Sequence, residues 1–205
     1  MLNRREIEKL IKEEELITGY IDVEAQLTPN GFDFTVGSIF EFVGSGALDF
    51  SNRERAIPQV NPVRKFRRGM DGASSNGVKE ICLRKEDKQD KPRPFYTEEV
   101  LYDKKGRGKL GWWNLKRGVY KIRTNESINL PNDLVAIAFP RSSLLRMGVF
   151  TQTAVWDAGF RGKSEFVLMV ENRGGLRLKQ NARIIQIIFM RINKTDLGYR
   201  GIYQE

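Results

Sequence analysis

Residues 134–170 read LVAIAFPRSSLLRMGVFTQTAVWDAGFRGKSEFVLMV, and this stretch places two polar clusters between strongly apolar runs. The first cluster follows the apolar run from Leu134 to Phe139. Arg141, Ser142 and Ser143 are therefore predicted to lie where a strand meets a turn or a short helix. Guanidinium and hydroxyl groups at such a place suit the oxygens of a phosphate.

The second cluster, AVWDAGFRG (residues 154–162), centres on Asp157, nine residues after Gly148. Ala158 and Gly159 follow this aspartate and predict a tight hairpin turn that presents a carboxylate together with the ring of Phe160. A carboxylate in such a turn can activate water. Each cluster taken alone also fits a charged surface turn between two strands.

The remaining periodicity predicts one helix followed by many strands. Asn3 and Glu6 have the spacing of a capping box and apolar residues follow at helical spacing, so residues 4–15 are predicted to form an amphipathic helix. Short runs rich in Phe, Val and Ile come next, and turn sequences separate several of them: FDFTVG, SIFEFV, GVYKIRT, LVAIAF, SEFVLMV, LRLKQ and ARIIQIIFM. This spacing predicts an all-β sandwich or barrel.

Composition limits the classes of function. The chain of 205 residues is 40% hydrophobic, so it can bury a core as one domain. It has no histidine, which excludes Ser-His pairs, Cys-His pairs and histidine-bearing zinc sites. General-base chemistry must then fall to Asp, Glu or Lys, and any metal would favour oxygen ligands, as magnesium does.

Cysteine content and hydropathy predict the compartment. Cys82 is the single cysteine, which excludes an internal disulfide framework and fits a reducing environment. No apolar run approaches the roughly 18 residues of a membrane span, and the charged N-terminus does not resemble a signal peptide. We therefore expect a cytoplasmic protein without a membrane partner.

Positive charge concentrates at about residues 53–117, which we predict to be a basic insertion or arm within a single domain of residues 1–205. From Arg53 to Lys121 there are 19 Lys and Arg against 9 Asp and Glu, while the whole chain carries +9. The favoured interpretation is a solvated extension that packs aromatic side chains on the body or on a neighbouring subunit. A nucleic-acid contact and a positive funnel for an anionic nucleotide are the alternatives. The aromatic residues are Phe95, Tyr96, Trp112 and Trp113.

Five segments resemble, in order, the motifs of the dUTPase and dCTP deaminase superfamily, and together they are most similar to archaeal-type dUTPases. They are LTPNGFDFTVG (27–37), PRSSLLRMG (140–148), AVWDAGFRG (154–162), NARIIQIIF (181–189) and GYRGIYQE (198–205). The resemblance implies a distorted jelly roll, a dUTPase-like β-barrel. It also implies a homotrimer whose active sites lie between subunits.

The resemblance also assigns roles to individual residues. Asp157 would orient and deprotonate the attacking water, Asp33 would help to order the site, and Phe160 would pack on the deoxyribose. The residues implied to bind phosphate are Arg141, Ser142, Ser143, Gln186, Tyr203 and Gln204. The backbone of the hairpin would read the uracil edge at Ala154, Val155 and Trp156. A structural turn at Asp33, a core role for Phe160 and a frayed C-terminal segment are the plain alternatives.

One position separates hydrolysis from deamination. The deaminase-type members carry a catalytic glutamate five residues after the glycine that matches Gly162, and here that position is Val167. Glu165 lies two residues earlier on the same strand face, so a slip of two residues could place its carboxylate there. Arg146 matches an arginine that deaminases use near the exocyclic amine, although archaeal-type dUTPases are similar at this position.

The resemblance therefore predicts that the chain hydrolyses dUTP to dUMP and diphosphate. Magnesium would be held by the triphosphate oxygens and by water, without direct protein ligands. A dCTP deaminase, or an enzyme with both activities, is the alternative. A non-catalytic module that binds nucleotides or nucleic acid is the third possibility.

Overall fold

The computed structural model describes residues 1–65 and 110–204. Its helices are α1 (Arg4–Glu14), α2 (Val23–Gln26) and α3 (Ser142–Arg146). Its strands are β1 (Ile17–Thr18), β2 (Leu27–Thr28), β3 (Gly31–Val43), β4 (Gln59–Pro62), β5 (Trp112–Leu115), β6 (Gly118–Asn129), β7 (Leu134–Pro140), β8 (Val149–Gln152), β9 (Arg161–Val170), β10 (Leu176–Lys179) and β11 (Arg183–Arg191).

Helix α1 confirms the predicted N-terminal helix, and its capping box is complete. The side chain of Asn3 accepts hydrogen bonds from the backbone N–H groups of Arg5 and Glu6. The backbone N–H of Asn3 in turn donates to the Glu6 carboxylate at 2.8 Å. The apolar side chains of the helix are buried against the barrel at Ile7, Leu10 and Ile11. None of the helices in residues 1–65 and 110–204 is long and apolar enough to cross a membrane.

The strands form an antiparallel sheet that curls into a nearly closed barrel. Its order is β7–β11–β3–β6–β9–β8, while β1 pairs with β6, and β2 and β4 pair with β3. A separate two-stranded sheet joins β5 to β10. The all-β prediction is therefore confirmed, with the short N-terminal helix outside the barrel.

Alternation along the strands separates the barrel interior from its outer face. In β9, the buried side chains are those of Phe166, Leu168 and Val170, whereas Glu165 and Val167 point the other way. The same alternation runs along β6, which pairs with β9. These two strands thus contribute apolar groups to the core and polar groups to an outer surface.

One carboxylate lies wholly inside the barrel. Glu126 is fully buried, and its Oε1 atom accepts hydrogen bonds from Gln26 Nε2 at 2.8 Å and Thr35 Oγ1 at 2.6 Å. Its Oε2 atom accepts from the backbone N–H of Thr35 at 2.9 Å. Burial raises the pKa of Glu126, and the hydrogen bonds from Thr35 and Gln26 oppose that rise.

The described ends of the predicted basic insertion, residues 53–65 and 110–117, join the body of the protein. Strand β5 pairs with β10, and the buried Trp113 donates from Nε1 to the carbonyl of Val63 at 3.1 Å. Arg177 lies 5.0 Å from the centre of the neighbouring Trp112 ring. The tryptophans therefore pack on the body, whereas Phe95 and Tyr96 lie outside the described residues.

Candidate active site

Three adjacent strands bring together the predicted phosphate-binding residues. Gln186 on β11 pairs with Phe139 on β7 at one side and with Asp33 on β3 at the other. The backbone N–H of Arg141 donates to the carbonyl of Ile184 at 3.1 Å, which fixes the end of β7 against β11. Segments distant in sequence thus meet at one end of the sheet.

An aspartate in this region is almost completely buried and holds two guanidinium groups. Asp33 is 2% exposed, and its Oδ2 atom lies 3.0 Å from Arg141 Nε and 3.4 Å from Arg183 Nη1. Burial raises the pKa of Asp33, and the positive charges of Arg141 and Arg183 oppose that rise. The side chain of Arg141 is 33% exposed, so donors that Asp33 does not use are available to an anion.

Ser142 and Ser143 begin α3 directly after Arg141 and are exposed. The buried Leu144 anchors this short helix to the core, so the hydroxyls lie outside while the turn is held in place. Arg146 is exposed as well, with Nη1 at 3.5 Å from Ser142 Oγ. We name Asp33, Gln186 and the segment Arg141 to Arg146 the phosphate half of the site.

Gln186 takes part in the same region through its side chain. Its Nε2 atom donates to Thr28 Oγ1 at 2.7 Å, which orients the amide toward β2. Arg183 donates to the carbonyl of Ala25, so it links the backbone before β2 to the ion pair of Asp33. Gln186 and Arg183 are therefore both held by contacts with the segment that precedes β3.

Asp157 lies on a tight turn between β8 and β9, as the sequence indicated. The backbone N–H of Phe160 donates to the carbonyl of Asp157 at 3.1 Å, and Gly159 adopts φ +82°, a conformation that favours glycine. The buried Trp156 exchanges two backbone hydrogen bonds of 3.0 Å with Ala136 on β7. The hairpin is thus fixed to the barrel, while the side chain of Asp157 is exposed.

The hairpin borders a cavity of about 570 Å³. Its walls include the segments predicted to contact the base and the sugar, at Ala154, Val155, Trp156 and Phe160. The C-terminal segment closes another side: Tyr199 packs edge-on against Phe160 at 5.3 Å between ring centres. We name the turn at Asp157 together with this cavity the base half of the site.

The predicted closing residues also reach the base half. The Gln204 side chain accepts from the backbone N–H of Arg161 and donates to the carbonyl of Gly159, both at 3.2 Å. Tyr203 lines the cavity and is 55% exposed. Both residues therefore lie beside the base half of their own chain, and not beside the phosphate half.

The cavity floor contains charged residues that the sequence analysis did not predict. The outer faces of β6 and β9 supply Lys121, Arg123 and Lys163 next to Glu165. Lys121 Nζ lies 3.0 Å from Glu165 Oε2, and Arg123 Nε lies 4.0 Å from Glu165 Oε1. The alternation of GVYKIRT and GKSEFVLMV carried this signal, because it puts these residues on the face opposite the core.

Glu165 and Val167 both face this cavity. Val167 pairs with Lys121 on one side and with Gln152 on the other, and Glu165 pairs with Arg123. On the described outer face of β9, Glu165 is the one carboxylate that lines the floor of the cavity. It lies two residues before Val167 on the same strand. That carboxylate already has two cationic neighbours.

Within one chain the two halves of the site do not meet. Trp156, next to Asp157, pairs with Ala136, whereas Arg141 follows five residues further along an extended strand. Five residues of strand span roughly 16 Å, which separates the backbone at Ala136 and Trp156 from the backbone at Arg141.

Among residues 1–65 and 110–204, no cluster of three or more Cys, Asp and Glu side chains could hold a metal ion. The exposed carboxylate of Asp157 supplies oxygen donors, the class of ligand that magnesium prefers. Oxygen donors of this kind contact magnesium through its water shell.

A model of the dCTP deaminase-like family matches residues 84–192. The chain belongs to this family. It is 38% identical to a protein of Methanosarcina mazei named "Probable deoxyuridine 5'-triphosphate nucleotidohydrolase" over 206 residues, which cover all of this chain and 96% of that protein. A protein of Archaeoglobus fulgidus with the same name is 37% identical over 204 residues, covering all of this chain and 95% of the other.

A solved structure shares the fold of this dCTP deaminase-like protein. It is the 2'-deoxycytidine 5'-triphosphate deaminase from Agrobacterium tumefaciens, with a TM-score of 0.55 and 20% sequence identity. The match covers 94% of this chain and 47% of the other, so the chain spans about half the length of that protein. At this identity the likeness concerns the fold alone.

Proposed function

We propose that the protein is a dUTP diphosphatase, which hydrolyses dUTP to dUMP and diphosphate. The observation that carries this proposal is the similarity over the full chain to archaeal proteins named deoxyuridine 5'-triphosphate nucleotidohydrolase. The phosphate half and the base half supply the groups that such a reaction needs. The substrate would place its triphosphate on the first and its base in the cavity of the second.

In this mechanism the phosphate half binds and orients the triphosphate. Arg141 would contact phosphate oxygens through its Nη groups while Asp33 holds its Nε. The exposed hydroxyls of Ser142 and Ser143 and the amide of Gln186 would complete the binding. Phosphoryl transfer depends mainly on such positioning and on charge stabilisation, so these contacts contribute directly to the rate.

Asp157 would act as the general base in the same mechanism. Its carboxylate would accept a hydrogen bond from a water molecule, take its proton and direct the oxygen at the α-phosphorus in line with the leaving diphosphate. Magnesium, held by the triphosphate and its own water shell, would supply neutralising charge for the leaving group. Phe160 would pack on the deoxyribose at the cavity wall.

We further propose that the active unit is a homotrimer with sites shared between neighbouring copies. The backbone separation of the Asp157 turn from Arg141 along β7 supports this arrangement, since sites shared between copies would bring both residues to one triphosphate. A ring in which each copy offers its phosphate half to the base half of the next would complete every site.

With one cysteine and no apolar span in its sequence, we place the enzyme in the cytoplasm.

Deamination of dCTP is the second candidate, because the fold is shared with a dCTP deaminase. The cavity floor favours hydrolysis instead. Val167 has no group that could transfer a proton, and the Glu165 carboxylate is paired with Lys121 and Arg123.

The test is to incubate the protein with magnesium and either dUTP or dCTP and to measure both diphosphate and ammonia. We expect diphosphate from dUTP and no ammonia from dCTP. The Glu165→Gln variant should still release diphosphate, whereas an enzyme that deaminates through Glu165 would lose ammonia production. Ammonia released from dCTP by the unaltered protein would contradict the proposal.

A third possibility, a module that binds nucleic acid through its basic insertion, predicts salt-sensitive binding of oligonucleotides. We expect removal of residues 66–109 to leave any measured diphosphate release in place if the insertion serves only as an extension. Tight oligonucleotide binding that disappears with this deletion, in a protein that releases no diphosphate, would support the third possibility.

A further inference from the structure

The floor of the base half is an array of hydrogen-bond donors. Lys121 and Arg123 come from β6 and Lys163 from β9, and all three line the cavity beside Ala154 and Trp156. Lysine and arginine side chains donate hydrogen bonds and never accept them. Glu165 is the one charged side chain in the described lining of this cavity that can accept a hydrogen bond.

The position of Lys121 is fixed by its contacts. Its Nζ atom lies 3.0 Å from Glu165 Oε2 and 5.3 Å from the centre of the Phe40 ring. The side chain is 25% exposed, less than the 40% of Glu165, so the ammonium is held close to the floor. An ammonium has three donors, and its pairing with Glu165 uses one of them.

From this geometry we infer that Lys121 selects pyrimidines with a carbonyl group at C4, and that Glu165 positions Lys121 for this role. The inference rests on the proposed function, since it takes the cavity as the site of the base. A C4 carbonyl, as in uracil and thymine, accepts a hydrogen bond, whereas the 4-amino group of cytosine only donates. The 4-amino group of cytosine would therefore meet another donor at Lys121, and no hydrogen bond could form between the two.

This assignment differs from recognition by the hairpin backbone alone. Backbone groups at Ala154 to Trp156 can also contact the edge of the ring, where an N–H that faced the 4-amino group would penalise cytosine and a carbonyl would not. The ammonium of Lys121 supplies such a penalty because it cannot change from donor to acceptor. Specificity of this kind arises when a buried polar group is left without a partner.

The experiment compares dUTP, dTTP and dCTP in the Lys121→Met variant, which keeps side-chain length and removes the donors. The KM of dUTP and the inhibition constants of dCTP and dTTP are measured with magnesium present. We expect the preference for dUTP over dCTP to fall on the order of 10-fold. The preference between dUTP and dTTP should stay unchanged, because both carry a C4 carbonyl.

Two further variants and a control sharpen the result. Lys121→Arg keeps a donor and should restore most of the preference, while Glu165→Gln should lower it by a smaller factor, about 3-fold. Lys9→Met makes the same change in net charge on the exposed face of α1 and should alter none of these ratios. Circular dichroism establishes that each variant is folded.

The outcomes separate this inference from the proposed function. An equal loss of affinity for all three nucleotides would show that Lys121 contacts phosphate, and an unchanged ratio would show that it does not read C4; either result overturns the inference. If the unaltered protein released no diphosphate from dUTP, the proposed function would fail instead. Dissociation constants of dUTP and dCTP measured by calorimetry would then still test the selectivity at Lys121.

Discussion

The two halves of the candidate site are built in opposite ways. In the phosphate half, the buried carboxylate of Asp33 holds Arg141 and Arg183 at 3.0 and 3.4 Å, and strands β3, β11 and β7 fix their backbones side by side. In the base half, the exposed Asp157 stands on a turn and the cavity is closed by a C-terminal segment. The phosphate half is thus organised by a buried ion pair within one chain, whereas the base half presents its carboxylate to solvent.

This contrast follows from what each group has to do. An arginine that binds phosphate loses less conformational entropy on binding when its guanidinium is already oriented, and a buried ion pair provides that orientation. A general base must instead be open to water and to substrate, so burial by its own chain would impair it. The phosphate half is therefore preformed, whereas the base half presents its carboxylate to solvent.

The largest effect is expected at the exposed carboxylate. Asp157→Asn keeps the shape of the side chain but removes the general base, so kcat for diphosphate release from dUTP should fall on the order of 10³-fold while KM changes little. Steady-state kinetics of diphosphate release measures both. The exposed Asp196→Asn serves as the matched control and should retain the full rate. A large rise in KM with little change in kcat would place Asp157 in binding instead of catalysis.

The next effect tests whether the two halves come from different copies. Chains carrying Arg141→Ala and chains carrying Asp157→Asn should each be nearly inactive alone. When the two are coexpressed and mix at random, about a quarter of the sites would combine an intact Arg141 with an intact Asp157 from neighbouring chains. We therefore expect about a quarter of the normal activity in the mixed enzyme. No recovery, in mixed oligomers demonstrated by two affinity tags, would mean that one chain supplies both residues.

The sequence predicted the local position of Arg141 and its serines more directly than the surroundings of the base half, for a physical reason. Arg141 and its serines follow directly on an apolar strand, so their position depends on local order along the chain. The pairing of Asp33 with Gln186 follows from strand neighbours distant in sequence, which only the resemblance could indicate. The barrel itself was predictable because its strands alternate or run apolar, and the capping box marked the start of α1.

The floor of the base half shows what a single sequence does not reveal. Lys121 and Glu165 lie 44 positions apart and meet only because β6 and β9 pair in one register. Strand periodicity indicates which face each residue occupies, but it does not indicate which strand lies alongside. The charges of this floor could be assigned to a face from the sequence, whereas their mutual contacts required the topology.

A smaller effect tests whether the ion pair of Asp33 organises the phosphate half. In Asp33→Asn the guanidinium of Arg141 loses its buried partner, so its orientation should be less restricted. We expect KM for dUTP to rise about 10-fold with kcat changed much less. Electrostatics would change KM in the opposite direction. Removing the negative charge of Asp33 near the triphosphate would tighten dUTP binding and lower KM.

The direction of the KM change decides between these two influences. Glu171→Gln is a suitable control, since Glu171 pairs with Arg117 at 2.6 Å on the exposed surface and should have no kinetic effect. A fall in KM for Asp33→Asn would mean that the charge of Asp33 matters more than the orientation it gives to Arg141. The comparison between a preformed and an open half would then lose its basis.

The smallest effect concerns the buried carboxylate next to the phosphate half. Gln26 Nε2 donates to both Glu126 and the carbonyl of Asp33, each at 2.8 Å, so Glu126 helps to hold the strand that carries Asp33. Burial raises the pKa of Glu126. The folded state therefore binds a proton at Glu126 more tightly than the unfolded state does. Its contribution to stability is greatest below the unfolded pKa and declines as the pH rises through the folded pKa.

Glu126→Gln should remove this pH dependence. At neutral pH the variant places an amide near the Thr35 N–H, and a mismatch of donors at a buried position costs about 1–3 kcal/mol of unfolding free energy. As the pH rises from acid to neutral, the wild type should lose stability through this group while the variant does not, so the difference between them should narrow. Urea unfolding of both proteins across that range measures the difference. If the difference widened with pH, the ionised carboxylate would be the favoured form inside the barrel, and the donors from Thr35 and Gln26 would outweigh the cost of burying its charge.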